Sequence, residues 1–167
     1  MKKKRWWRGL FLLYSFIIVK MIIFKYPLSM LWEVSKSWGE GFIRQGIESA
    51  NFIPFKTITM YLHYYGSLNS FENLIGNILI FIPLGLILPR AFKLFDRVFW
   101  MTFFSFVFIL DIELFQLVTR FGEFDIDDII LNLAGCMIGF ALGRMSEKVK
   151  TLMQEKKKER NEESYES

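Results

Sequence analysis

Polar side chains that could bind or react with a ligand concentrate in three short stretches of an otherwise apolar chain. They are Asn73 and Asn77, then Glu113, Gln116 and Arg120, then Asp125, Asp127, Asp128 and Asn132. Carboxyl groups can act as general acids and bases, and with amide oxygens they can hold Mg²⁺ or Ca²⁺ on a phosphorylated ligand. An arginine can bind a phosphate or carboxylate through a bidentate fork. These residue types indicate a polar site and leave its chemistry open.

Several common chemistries lack the residues that they need. His63 is the sole histidine and Cys136 the sole cysteine, so the sequence offers no Cys–His zinc site and no second histidine for a Ser-His-Asp triad. It contains no Walker or dinucleotide-binding loop. We therefore expect no resident cofactor, with Mg²⁺ or Ca²⁺ only as the companion of a phosphorylated ligand.

The segments that carry the polar residues are apolar and long. The 167 residues are 53% hydrophobic and 18% aromatic, which is more apolar surface than a soluble domain of this size can bury. Four runs are close to bilayer length, and in hydrocarbon the backbone must satisfy its own hydrogen bonds as helix. The sequence predicts an all-α polytopic membrane protein, a four-transmembrane-helix bundle with spans at about residues 7–27, 73–89, 97–119 and 126–145.

The basic residues predict the orientation of these spans. Five precede the first run, three lie between the second and third, and seven follow the fourth. Basic residues in alternate segments mark the cytoplasmic side, so both termini are expected in the cytoplasm and residues 31–72 and 119–127 outside. The net charge of +4 therefore indicates membrane topology, and we expect no nucleic-acid partner.

Two segments fall outside the predicted spans. Residues 31–50 place tryptophans and other apolar residues among charges, with a break near Gly39 and Gly41. This pattern is typical of an outer amphipathic or re-entrant segment, or of a loop whose aromatic residues dip into the membrane. Residues 146–167 are charged and are expected to form a disordered cytoplasmic tail, which leaves residues 1–145 as the transmembrane domain.

The predicted topology brings the three polar stretches to the same depth, at the outer end of their helices. Glu113, Gln116 and Arg120 share one helical face. Asp128 and Asn132 share a face with Gly135 and Gly139, and such glycine spacing permits close helix packing. We expect an outward-open polar pocket, with Asn51 and Phe55 at its mouth because Pro54 interrupts regular helix. Alternatively, the polar groups only bond one another and fix the helix register.

Three more titratable residues receive no function from the sequence. Lys20 lies near the end of the first run and is expected to extend its amine toward the interface, although pairing with Asp111 is an alternative. His63 lies in an outer segment rich in tyrosine. A loop histidine without metal-ligating neighbours ordinarily has no special role.

The same polar residues lie in stretches that resemble the VanZ-like family, named for an accessory protein of glycopeptide-resistance clusters. The stretches are residues 51–58 (NFIPFKTI), 73–85 (NLIGNILIFIPLG), 113–116 (ELFQ), Arg120, 125–135 (DIDDIILNLAG) and Gly139. Their order and spacing cover about residues 25–143. The resemblance implies a bacterial plasma-membrane protein. For the named member it implies low-level resistance to teicoplanin-type lipoglycopeptides without a change in the peptidoglycan precursor.

Three functions are compatible with these observations. The favoured one is recognition, at the outer leaflet, of a membrane lipid, a lipid-linked cell-wall precursor or a lipoglycopeptide. The second is an enzyme that modifies such a substrate with Glu113 and either Asp125 or Asp128. The third is a structural or interaction protein. The expected ligand-binding residues are Asn51, Asn73, Asn77, Glu113, Gln116, Arg120, Asp125, Asp127, Asp128 and Asn132.

Overall fold

The computed structural model describes residues 2–23, 27–36, 38–63 and 68–166, and its regular structure is helical. The long helices are α1 (Lys2–Ile23), α5 (Leu68–Ala91), α6 (Val98–Thr119) and α7 (Ile126–Glu166), and the short ones are α2 (Leu28–Lys36), α3 (Phe42–Ser49) and α4 (Lys56–His63). A 3-10 turn at Lys93–Asp96 joins α5 to α6. Within the described ranges no β-strand forms, which confirms the all-α class.

Three helices of the described chain are long and apolar enough to cross a membrane: Glu72–Ala91, Val98–Thr119 and Ile126–Glu162. They correspond to three of the four predicted spans. Helix α1 has 22 residues but carries Arg5, Arg8 and Lys20. Its exposed face is nevertheless apolar, with Leu12 and Phe16 each 68% exposed. That α1 forms a fourth span stays a prediction.

Helices α5 and α7 pack with their backbones almost in contact. A Cβ atom added to Gly139 would lie 2.0 Å from the carbonyl oxygen of Ile82, and one added to Gly135 would lie 2.1 Å from that of Ile78. From the other helix, a Cβ on Gly85 would lie 2.0 Å from the carbonyl oxygen of Cys136. No side chain fits at these distances, so the glycines allow the close packing predicted from their spacing.

Helix α1 lies antiparallel to α5 and covers it. Near the start of α1, the Arg8 Nε donates to the carbonyl oxygen of Ala91 at 3.4 Å, and further along the Tyr14 hydroxyl donates to that of Ile80 at 2.7 Å. Ile18 is fully buried. The last turns of α1 therefore reach the place where α5 and α7 begin and α6 ends. We call this place the polar end of the bundle.

The opposite end of the bundle, which we call the basic end, is held by Arg90. Its Nη2 donates to the Ser146 hydroxyl at 3.0 Å, and its Nε lies 3.8 Å from a carboxylate oxygen of Glu147. The guanidinium also stacks over the Trp7 ring at 5.4 Å. One side chain thus joins the end of α5 to both α1 and α7.

Of the two segments outside the spans, the last differs from its prediction and the other has the predicted break. Helix α7 continues to Glu166, where a disordered tail was expected, because its lysine and glutamate residues favour helix and pair at i, i+4 spacing, as in Lys158–Glu162 at 3.6 Å. Residues 28–36 and 42–49 form two short helices, separated by the break that the sequence predicts near Gly39 and Gly41. The chain turns between them at Gly41, whose φ of 83° suits glycine.

Candidate ligand-binding cavity

A cavity of about 240 Å³ lies at the polar end, between α1, α5, α6 and α7. We call it the polar cavity. Its polar lining residues are Glu72, Asn73, Asn77, Glu113, Gln116, Asp128 and Asn132, and its other lining residues are Met21, Gly76, Ile80, Phe81 and Ile112. Carboxyl and amide groups from three helices therefore surround one space with an apolar wall.

Helical spacing explains why these side chains meet. Asn73 and Asn77 are one turn apart on α5, Glu113 and Gln116 one turn apart on α6, and Asp128 and Asn132 one turn apart on α7. Each pair faces the same space because the three helices share the polar end. The structure thus brings together six of the ten residues that the sequence predicts to bind a ligand. That they bind a ligand stays a prediction.

Two of the polar lining residues are almost completely buried. Glu113 is 2% exposed, and its Oε2 accepts a hydrogen bond from the backbone N–H of Asp125 at 3.1 Å. Asn132 is 5% exposed, and its Oδ1 accepts no hydrogen bond from any residue that the structure describes. A buried acceptor without a donor costs about 1–3 kcal/mol. Asn132 therefore contributes a buried, unsatisfied acceptor to the wall of the polar cavity.

The remaining polar lining is tied together across helices. The Asn77 Nδ2 donates to the Asp128 Oδ1 at 2.5 Å, which joins α5 to α7. Asn73 forms a hydrogen bond with the Tyr61 side chain of α4. Burial is the main reason why the pKa of Tyr61 is raised, and the nearby carboxyl groups of Asp128, Asp125 and Glu123 raise it further. The hydrogen bond with Asn73 acts in the opposite direction. The Tyr61 phenol therefore stays protonated next to Asn73.

Asp127, although predicted as a ligand-binding residue, is used internally. It is fully buried, and its carboxylate accepts the backbone N–H groups of Phe55 at 2.5 Å, Thr57 at 2.7 Å and Ile58 at 3.1 Å. These amides begin α4, where a helix has no internal acceptors for them. Asp127 therefore caps α4 from a distant part of the chain.

Asp125 and Asn51 complete this arrangement. The Asp125 carboxylate accepts the Thr57 hydroxyl at 2.6 Å, the Asn51 Nδ2 at 2.8 Å and the backbone N–H of Asp127 at 2.8 Å, the last of which caps α7. The Asn51 backbone also pairs with Phe124 and Ile126. We call Asn51, Thr57, Asp125 and Asp127 the anchoring cluster, because they fix the segment before α4 to the start of α7.

The anchoring cluster changes the expected position of Asn51 and Phe55. The sequence predicts them at the mouth of the pocket, yet neither lines the polar cavity. Pro54 and the turn at Phe55, where φ is 65°, leave the amides at the start of α4 without helical acceptors. Asp125 and Asp127 satisfy that segment, so it lies against α7 and not over the cavity.

Arg120 lies in a different cavity. Helix α6 ends at Thr119, and Arg120 follows it with a left-handed φ of 55°, so the i+7 position that α6 would give it does not exist. Its Nη1 donates to the Gln45 Oε1 at 2.7 Å, and its guanidinium stacks over the Phe42 ring at 5.3 Å. This second space, about 220 Å³, is also lined by Met30, Leu31, Val34, Ser49, Gly122 and Glu123.

Met21 and Glu72 are lining residues that sequence reasoning missed. Glu72 directly precedes Asn73, but its own position in the pattern gives no reason to choose it. Met21 is an ordinary apolar residue of α1, and only the antiparallel packing of α1 brings it to the polar end. The titratable residues left without a function, Lys20, His63 and Asp111, are all exposed.

The lining determines what the polar cavity can do chemically. Among the residues that the structure describes, no three His, Cys, Asp or Glu side chains gather in a way that could hold a metal ion. Glu113 and Asp128 share the polar cavity, whereas Asp125 does not. The cavity therefore offers carboxyl groups, which accept hydrogen bonds, and amide groups, which both accept and donate them.

Comparison with known proteins covers most of the chain. The family model described as VanZ/LLP1 matches residues 11–147. Protein VanZ from Enterococcus faecium is 30% identical over 143 residues, which is 84% of this chain and 75% of that protein. No solved structure matches the chain. The matched residues include every lining residue of the polar cavity, and they confirm the resemblance inferred from the motifs.

Proposed function

Because this chain belongs to the VanZ/LLP1 family, we propose that it is a bacterial plasma-membrane protein that recognises the polar group of a ligand at the outer leaflet. The ligand is a lipid, a lipid-linked cell-wall precursor or a lipoglycopeptide. The observation that carries the proposal is the polar cavity, where Glu113, Asp128 and the unsatisfied Asn132 oxygen lie beside an apolar wall.

The orientation supports this location. Four basic residues lie at the basic end: Arg90, Lys93, Arg97 and Arg144. Helix α1 also begins with a strongly basic segment, before residue 9. Basic residues favour the cytoplasmic side, so the polar cavity faces outward and both termini lie inside. In intact cells, a membrane-impermeant thiol reagent should label Glu48→Cys and Glu123→Cys but not Glu155→Cys. Labelling at position 155 without permeabilisation contradicts this orientation.

The shape of the site suits an amphiphilic ligand. Ile80, Phe81 and Ile112 contribute an apolar wall beneath carboxyl and amide groups, and several other side chains of the long helices that face outward are also apolar. A ligand whose acyl chain lies in the bilayer can therefore place its polar group in the cavity while its tail stays among lipids. Burying that tail strengthens membrane binding of the ligand by about 0.8 kcal/mol for each methylene group.

A structural role is the second candidate, and specific contacts favour it for part of the site. The Asn77–Asp128 and Glu113–Asp125 hydrogen bonds join helices regardless of any ligand. They do not account for the acceptor left open on Asn132. The enzyme alternative now requires Glu113 and Asp128 together, because they are the predicted catalytic candidates that share the polar cavity.

The family resemblance makes teicoplanin tolerance the readout for this proposal. In a host without a related protein, expression of the chain should raise the inhibitory concentration of teicoplanin more than that of vancomycin, which lacks the lipid tail. Asp128→Asn should remove most of this difference. Asp111→Asn is the matched control, because Asp111 is exposed on α6 and does not line the cavity.

Membrane abundance of each variant must be measured in parallel, because a misfolded bundle imitates the loss of recognition. Arg120→Ala distinguishes the contributions of the two cavities to tolerance, because Arg120 lines the second cavity and does not line the polar cavity. Equal losses for teicoplanin and vancomycin, or unchanged tolerance for Asp128→Asn at normal abundance, contradict outer-leaflet recognition by the polar cavity.

A further inference from the structure

We infer that the group received by the polar cavity is a primary ammonium, carried on an otherwise amphiphilic molecule. This inference rests on the proposed function and specifies the ligand of the same site. It distinguishes the polar cavity from a phosphate-binding site, for which Arg120 would have been the natural partner.

The charge of the lining is the first argument. Glu72, Glu113 and Asp128 line the cavity, and no lysine, arginine or histidine is among its described lining residues. Arg120, the cation expected there, binds Gln45 and Phe42 instead. An acidic lining in a chain whose formal net charge is +4 favours a cationic guest and repels a phosphate.

The second argument is the open acceptor on Asn132. Its Oδ1 is buried and receives no hydrogen bond from the described residues, and a guest that reaches it must donate an N–H or O–H group. Asn132 lies one turn after Asp128 on the same face of α7. An ammonium carries three N–H donors. They are enough for one oxygen of Asn132, one oxygen of Asp128 and one further acceptor of the lining. A quaternary ammonium has none.

The size of the cavity limits how much of the ligand enters. About 240 Å³ is several times the volume of one water molecule, about 30 Å³ in the liquid, and far less than a lipid or a glycopeptide. The ammonium and a short methylene linker fit between the carboxyl groups and the wall formed by Ile80, Phe81 and Ile112. The rest of the molecule stays outside, in the bilayer or at its surface.

Three matched amphiphiles test this inference on the full-length protein in dodecyl maltoside. Decylammonium, decyltrimethylammonium and decanol share a ten-carbon chain and differ in charge and in N–H donors. Thermal unfolding is followed at increasing concentrations of each. Decylammonium should raise the midpoint at a concentration about tenfold lower than decyltrimethylammonium, since charge-assisted hydrogen bonds of about 1.4 kcal/mol separate them. Decanol, which keeps one O–H donor but carries no charge, should give a smaller increase than decylammonium.

The variants show whether the effect arises in the polar cavity. Asp128→Asn and Asn132→Leu should each abolish the preference for decylammonium, and Asp111→Asn should keep it. If one of the first two variants fails to fold, the other still decides. Equal midpoints with decylammonium and decyltrimethylammonium, or a preference that survives both cavity variants, overturn the inference.

Vesicles distinguish the sources of the ammonium. Native mass spectrometry after release from phosphatidylglycerol vesicles containing phosphatidylethanolamine should show a retained phosphatidylethanolamine if a membrane lipid supplies the group. Retention of decylammonium alone indicates a ligand from outside the membrane. If cavity variants reduce teicoplanin tolerance but no amine binds, the ammonium assignment fails and the recognition function stands. If amines bind but the cavity variants do not change teicoplanin tolerance, the ammonium assignment stands and the proposed recognition function fails.

Discussion

Asp127 and Asp128 are adjacent in the first turn of α7, yet they belong to two different regions. Asp127, fully buried, accepts three backbone N–H groups at the start of α4 as part of the anchoring cluster. Asp128 lines the polar cavity and accepts from Asn77. Successive helical residues point about 100° apart, so one carboxyl group faces the segment before α4 and the next faces α5 and α6.

This difference separates a stabilising role from the proposed recognition role within one acidic motif. In the anchoring cluster every carboxylate oxygen of Asp125 and Asp127 has at least one donor from the protein. In the polar cavity, a nearly buried amide oxygen on Asn132 has none among the described residues. Satisfied buried groups hold a fold together, whereas an unsatisfied one costs stability.

The largest effect should come from the anchoring cluster. Asp127→Ala leaves the part-buried N–H groups of Phe55, Thr57 and Ile58 without their acceptor, so the free energy of unfolding should fall by about 3 kcal/mol. Asp128→Asn should change it by less than about 1 kcal/mol. Denaturation in detergent, followed by circular dichroism, measures both variants against the wild type.

Asp127→Asn provides the matched control, because it keeps the shape and one acceptor oxygen and should lose less than Asp127→Ala. The comparison fails if Asp128→Asn destabilises the protein as much as Asp127→Ala, since both carboxyl groups would then be structural.

A smaller effect should reveal the coupling inside the anchoring cluster. Asn51 donates to Asp125 at 2.8 Å from a position 74 residues away, and Asn51→Ala should reduce the free energy of unfolding by about 1 kcal/mol. In a double-mutant cycle with Asp125→Asn, the two losses should add up to more than the loss of the double variant. The cycle uses unfolding free energies of the four proteins.

Strict additivity in that cycle means that the Asn51–Asp125 hydrogen bond contributes nothing of its own. Asn51→Ala combined with Asp128→Asn is the control pair, and it should be additive because Asn51 does not line the polar cavity.

The sequence predicted the polar cavity because its residues follow helical spacing. Asn73 and Asn77, like Asp128 and Asn132, lie one turn apart within uninterrupted helices, and a common depth then brings them together. The glycine contacts between α5 and α7 were predictable for the same reason. Local periodicity together with charge alternation is enough for both features.

Features that depend on chain ends and loops were not predictable in this way. Arg120 leaves the helical face because α6 stops one residue earlier, and the spacing of residues does not contain that end point. Asp125 and Asp127 turn away from the cavity because amides near Phe55 need acceptors. These hydrogen bonds join segments that are 70 or 72 residues apart in the chain, so a local sequence pattern cannot predict them.

The smallest effect on stability should come from Asn132, and its direction is the sharpest test of the comparison. Leucine resembles asparagine in size, and Asn132 is 5% exposed with an oxygen that lacks a donor among the described residues. Replacing it removes an unsatisfied acceptor and adds apolar contacts with the cavity wall. Asn132→Leu should therefore leave the free energy of unfolding unchanged or raise it by up to about 1 kcal/mol, while the preference for decylammonium disappears.

Asn77→Leu is the matched control, because it breaks the hydrogen bond to Asp128 and should lower the free energy of unfolding by about 1 kcal/mol. A loss of stability in Asn132→Leu as large as in Asn77→Leu shows that the Asn132 amide supports the bundle. The polar cavity then becomes a second anchoring region, and the division between Asp127 and Asp128 loses its functional meaning.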